Sequence, residues 1–208
     1  MKLIDMQVKD YLDLLKSDAP APGGGSVSAL AGAQGVGLFM MVADLTLGKE
    51  KYADFQEICA QAKEKGVALY EELVESIDKD TDAFNLIADA FKMPKETDEE
   101  KAARRKAIAD GTLVATQVPF RTMQLGYEGL MIAKEMIGKS NPNAASDLGV
   151  AILNLTACIK GAWLNVMINL PGVKDEEKAA YYSAEGKKMY DEADAIASGL
   201  YESVAASL

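Results

Sequence analysis

Apolar residues recur along this chain at helical spacing. Ile4, Val8, Leu12 and Leu15 outline a short first helix that stops before Ser17–Pro22. After a turn built on Gly23, Gly24 and Gly25, Ser26 is a suitable N-cap for a second helix rich in Ala and Gly, which TLGKEKY at 46–52 breaks. Phe55, Ile58, Ala62, Leu69, Leu73, Ile77, Phe84, Ile87 and Phe91 fall along one face of a long third helix. Pro94 ends it, and Thr97 or Asp98 can cap a fourth that runs towards Ile137. Pro119 lies inside that fourth helix, where the missing N–H predicts a kink. GKSNPNAAS leads into a strongly apolar fifth helix. Beyond PGVKDEE, the positions Tyr182, Met189, Ala193, Ile196, Leu200 and Val204 give an amphipathic sixth. The expected fold is all-α: one domain over 1–208, a bundle of about six helices with a buried central helix at about 146–170.

Polar residues that break this pattern carry the chemical information. At about 100° per residue, Asp147, Asn154, Asn165 and Asn169 share an arc of roughly 60° on the fifth helix, with Ala151 and Cys158 between them. The remaining faces are apolar, so the stripe should lie indoors, where amides need hydrogen-bond partners. Neighbouring helices or a second subunit are the ordinary partners; a polar heterocycle is the sharper one. Asn154 and Asn165 stand about 16 Å apart along the axis, a span suited to an elongated ligand. In DKDTDAF, Asp80 and Thr81 flank the apolar stripe of the third helix, whereas Asp78 and Asp82 should face water. A carboxylate pressed against apolar neighbours has a raised pKa and can exchange protons near neutrality; a salt bridge is the plainer reading.

Composition narrows the chemistry. The 208 residues are 49% hydrophobic and carry a net charge of −10, which argues against general nucleic-acid binding. There is no histidine, which removes imidazole as base or metal ligand and every Ser–His or Cys–His nucleophile. Cys59 and Cys158 match no zinc or redox spacing and read as small core residues in a reducing, cytoplasmic setting. Val27–Leu47 and Leu148–Leu170 are long enough to span a membrane. Gln34, Asp44, Asn154, Lys160, Asn165 and Asn169 interrupt them, so buried helices and no membrane are expected. Asp5, Asp10 and Asp13 make the N-terminus unlike a signal peptide. The Gly23–Ser26 turn offers bare N–H groups at a helix N-terminus to an anion or carbonyl. It is no Walker loop, because no Gly-Lys-[Ser/Thr] follows. Lys49, Lys51 and Arg121 are candidate partners for ligand carboxylates.

In order along the chain, PAPGGGSVSALAGA, LTLGKEKY, DTDAF…FKMPK, VPF and NPNAASDLGVAILNLTACIKGAWLNVMINL resemble the cyclodeaminase / methenyltetrahydrofolate cyclohydrolase family. That family includes the C-terminal domain of formiminotransferase-cyclodeaminase and stand-alone bacterial cyclohydrolases. The likeness runs from the first helix to about Val173; Glu50 departs from a more basic Gly-Lys-Lys-Lys-Tyr version. The resemblance implies a multihelical homodimer acting on a tetrahydrofolate derivative as substrate, with no metal or nucleotide cofactor. With no histidine available, Asp80, its pKa lifted by burial, is the expected catalytic acid–base for that reaction. Substrate contacts are expected from Gly23, Gly24, Gly25, Ser26, Lys49, Tyr52, Arg121, Asp147, Asn154, Asn165 and Asn169. Cyclohydrolase action, hydrating 5,10-methenyltetrahydrofolate to 10-formyltetrahydrofolate, is the expected activity, since no formiminotransferase domain precedes the bundle. Formiminotetrahydrofolate cyclodeaminase is the alternative, and a non-enzymatic helical scaffold the second.

Overall fold

A computed structural model describes residues 2–208. Its helices are α1 (Val8–Leu15), α2 (Gly24–Asp44), α3 (Gln56–Lys92), α4 (Asp98–Met136), α5 (Ala145–Asn169) and α6 (Glu176–Ala205), joined by short loops and single 3₁₀ turns. Among the described residues there is no strand. α2 packs on α3 and α5, α4 on α3 and α5, and α6 covers α5. Phe39, Leu73, Leu148, Ile152 and Leu155 fill the shared core with almost no exposed surface. Each such side chain stabilises the bundle by about 1.5–3 kcal/mol. The Ala- and Gly-rich make-up of α2 has a direct packing cause. A Cβ on Gly32 would stand 2.7 Å from Cys158 Sγ, and one on Gly35 would stand 2.9 Å from the Ala151 carbonyl. Both cysteines are free and buried, and burial pushes the Cys158 thiol up to about 12.

Three expectations need correction. α5 has neighbours on three sides and is open on the fourth, where Val150, Leu153, Leu164 and Ile168 are exposed, Ile168 at 79%. It is central but not wholly buried. In α1 the predicted stripe points outward, with Val8 and Leu12 exposed, and Tyr11 turns inward instead. The Leu3 amide donates to Asp78 Oδ1 on α3 at 2.6 Å, which ties down the segment before α1 and takes Asp78 out of free solution. On α3 the apolar stripe continues to Phe84 and Phe91, yet these are 41% and 58% exposed. α3 and α4 have 37 and 39 residues against 21 for α2, so their hairpin runs on past the start of α2 and projects. Thr97 and Glu100 form a reciprocal capping box at the tip, where α4 begins. By length and hydropathy α2 and the Pro142–Gly172 segment could cross a membrane, with 56% and 44% of their apolar windows buried in the bundle.

Candidate active site

Ser26 is not the N-cap of α2. The helix starts inside the triple glycine, with Gly23 as an extended N-cap that offers no side chain. A carboxylate from another helix does the capping. Asp80 Oδ2 on α3 accepts the Ser26 N–H at 2.9 Å and lies 3.3 Å from the Ser26 hydroxyl, which itself donates to the Ile77 carbonyl at 2.8 Å. A negative group suits this end of the helix dipole. Gly25 makes the approach possible, because a Cβ there would fall 1.9 Å from Asp80 Oδ1. Among the described residues Oδ1 accepts no hydrogen bond. Burial raises the Asp80 pKa from its ordinary 3.8, and the two Ser26 hydrogen bonds only partly offset that. The carboxyl is therefore held in place and biased towards protonation.

Asp80 opens onto a cavity of about 270 Å³ walled by Gly23, Gly24, Thr81, Phe84, Asn165 and Asn169. Sites that enclose a whole drug-sized ligand run to about 300–1,000 Å³, so this one holds part of a longer molecule. Asn165 donates its amide to the Gly161 carbonyl at 2.8 Å, leaving Oδ1 as an acceptor at the cavity wall. Asn169 is anchored through Pro119. Lacking an N–H, Pro119 leaves the Ala115 carbonyl without its helical donor, and Asn169 Nδ2 donates to that oxygen at 2.8 Å and to the Asn165 carbonyl at 2.9 Å. The sequence marked this proline as a kink; in the structure its missing N–H frees the carbonyl that fixes a wall residue. Two amide oxygens and a carboxyl thus line a pocket mouth formed at the start of α2. That arrangement suits a heterocycle whose edge presents N–H groups.

The other expected contacts lie elsewhere. Asn154 donates to the Val150 carbonyl and lines a larger groove of about 760 Å³ with Ile4, Gln34 and Tyr70, which contains no carboxylate or cation. Asp147 is about 27 Å along α5 from Asn165, too far to share its pocket. Lys49 follows the far end of α2, roughly 30 Å from Gly24, and its ammonium is bound to the Leu45 carbonyl. Tyr52 is buried with its hydroxyl on Asn141 Oδ1 at 2.6 Å, a tie between two loops. Arg121 is held bidentate by Glu72 at 2.8 and 2.7 Å and lines a separate cavity with Lys65, Leu69 and Tyr127. One group was not foreseen. Tyr11 is buried near Asp80; burial and the Asp80 charge raise its pKa, and its hydroxyl has no partner. Its neighbours in the sequence, Leu12 and Val8, drew the apolar pattern and masked it. No three His, Cys, Asp or Glu side chains gather in metal-binding proximity among the described residues.

An all-helical bundle with a half-buried acid at the N-terminus of an internal helix defines a histidine-free, acid–base type of site. Comparison with known families is more specific: residues 7–188 match the formiminotransferase-cyclodeaminase family, and the chain belongs to it. It is 38% identical to a methenyltetrahydrofolate cyclohydrolase from Methylorubrum extorquens over 95% of both chains. It is 34% identical to the formimidoyltransferase-cyclodeaminase of Gallus gallus over 83% of this chain, spanning only 32% of that longer protein. Its fold matches the crystal structure of a formiminotetrahydrofolate cyclodeaminase from Thermotoga maritima with a TM-score of 0.80 at 24% identity, over 100% of this chain and 98% of the other.

Proposed function

We propose that this protein is a methenyltetrahydrofolate cyclohydrolase that uses Asp80 as its proton carrier. One observation carries the proposal: a half-buried carboxyl, its pKa raised by desolvation, stands fixed on the start of α2 at the wall of a cavity. With the methenyl carbon beside it, Asp80 takes a proton from water as the water oxygen bonds to that cationic carbon. The adduct then opens. As the C–N5 bond breaks its electrons stay on N5, Asp80 returns the proton there, and the hydroxyl proton leaves as the formyl C=O forms on N10. One proton is released overall, as the loss of the cation requires. A carboxyl with a pKa lifted towards the working pH can serve in both directions. The oxygens of Asn165 and Asn169 accept N–H groups of the pterin, and no resident cofactor enters the scheme.

The near-full-length likeness to a cyclohydrolase favours hydration. Cyclodeaminase action is the second reading, favoured by the names of the longer relatives; there N10 attacks a formimino carbon and ammonia leaves. Purified protein offered each substrate separates the two. Absorbance of the methenyl chromophore falls under hydration and rises under deamination, and turnover of neither substrate sinks the folate reading. The open side of α5, with Val150, Leu153 and Leu164, continues across Val27 and Met41 of α2 as an exposed apolar face. Such a face is large for a monomer's surface, and a second copy is the occupant proposed. Leu153→Glu should turn a dimer into a monomer by analytical ultracentrifugation; a wild-type monomer refutes the pairing.

A further inference from the structure

Resting on the folate reading, the next question is what holds the glutamyl end of the substrate. The cations expected for that task are engaged or remote: Arg121 is paired with Glu72, and Lys49 lies beyond the far end of α2. The cavity beside Asp80, of about 270 Å³, takes the ring system and its one-carbon unit, and Phe84, Ile87 and Ala115 form its wall on the side of the projecting α3–α4 hairpin. On α3, Phe84 lines the cavity. Phe91, seven residues further on, lies about 20° away in helical phase and roughly 10 Å nearer the tip. On α4, Thr112 faces the cavity end of the hairpin against Gly172, and Arg105, seven residues earlier, shares its face within about 20°. The Arg104 guanidinium lies over the Phe91 ring, 5.4 Å from its centroid, and donates to the Phe91 carbonyl at 3.3 Å. Its Nε is buried without an acceptor.

Guanidinium chemistry distinguishes these two residues from the lysines around them, of which Lys95 in the tip loop also forms no ion pair among the described residues. Lys92, Lys101 and Lys106 at the same tip are paired with Asp89, Asp98 and Asp110. Among the described residues neither Arg104 nor Arg105 forms an ion pair. On a chain of net charge −10, two guanidinium groups without a carboxylate partner, one of them docked on Phe91, are well placed at the tip for an anionic tail. The rise from Asp80, beside which the one-carbon unit lies, to Phe91 is about 16 Å. That unit is roughly 10 Å from the first glutamyl carboxylate by ordinary bond lengths, and the arm of an arginine spans the remaining distance of about 6 Å.

We infer that Arg104 and Arg105 receive the glutamyl carboxylates of the substrate, with its aryl linker laid along Phe84 and Phe91. The test compares methenyltetrahydrofolate with methenyltetrahydropteroate, which lacks the glutamyl group, on the wild type, R105Q and the R104Q/R105Q double variant. The double variant should raise KM for the glutamyl substrate ~10- to 100-fold, as loss of charge-assisted hydrogen bonds does, with kcat kept within twofold. Its KM for the pteroate should match the wild type's. R105Q, altering only an exposed side chain, should give a smaller rise of the same kind without touching the fold. Equal effects on both substrates, or none on either, overturn the inference alone. A wild type that turns over neither substrate overturns the folate reading and this one with it.

Discussion

Replacing Gly25 by alanine tests the site at its tightest point. In an exposed helix interior this change would stabilise by about 1 kcal/mol, because glycine is the weaker helix former. Here the new Cβ would fall 1.9 Å from Asp80 Oδ1 and 2.3 Å from its Cγ, so the carboxyl must move. The displacement breaks the bond from the Ser26 N–H, a hydrogen bond to a charged group worth about 1.5–3 kcal/mol. Overpacking adds about 1–3 kcal/mol. The net expectation is a loss of about 2–5 kcal/mol, read by urea unfolding of Gly25→Ala beside the wild type. A shift of the acid by about 1 Å should also lower kcat by ~100-fold. Gly23→Ala is the control, since nothing lies within 4 Å of a Cβ there and its φ of −121° suits any residue. If Gly25→Ala keeps both the stability and the rate of the wild type, the account of Asp80 seated on a bare helix end is wrong.

Three further outcomes follow from the same geometry. Burial raises the Asp80 pKa, so the stability tied to this group is fully present below the ordinary value of 3.8 and is lost as pH rises through the folded value. Asp80→Asn escapes that loss, so its stability relative to the wild type should climb with pH over that window; a flat difference from acid to neutral pH contradicts it. Pro119→Ala restores an N–H that competes with Asn169 for the Ala115 carbonyl. Thermal unfolding should occur at the same or higher temperature while kcat/KM drops ~10-fold, and unchanged kcat/KM removes Asn169 from the site. Arg121→Ala should cost about 1 kcal/mol or less, since its pairing with Glu72 is half-exposed, and leave KM unaltered; a large KM effect would return Arg121 to the substrate.

Much of the fold was legible because helical periodicity and its breakers are local. The run from Phe55 to Ile77, the stop at Pro94 and the cap at Thr97 all depend on residues within a few turns of one another. Where α3 outlasts α2, periodicity misleads: Phe84 and Phe91 continue the pattern, but no partner helix reaches them. Asp80 and the triple glycine could be singled out from sequence, since a carboxylate on an apolar flank and three consecutive glycines are each unusual. Their relation could not, because it depends on α2 starting beside α3 across a sequence separation of 54. Likewise the stripe on α5 has the correct phase throughout, yet only Asn165 and Asn169 reach the cavity. Phase fixes direction around a helix and says nothing of which end a site occupies. Lys49, Tyr52 and Arg121 were assigned by charge and by motif, and those features do not encode distance.

The most direct measurement is single-turnover decay of bound methenyltetrahydrofolate by wild-type protein and Asp80→Asn, with binding followed separately by calorimetry. Asparagine keeps an acceptor for the Ser26 N–H, so the cavity and the substrate Kd should persist within a few-fold. The decay rate should fall by about 10²–10⁴-fold, the usual contribution of a general acid–base group. Decay at the wild-type rate with Asp80→Asn would contradict the account, because the proton would then be travelling by another route.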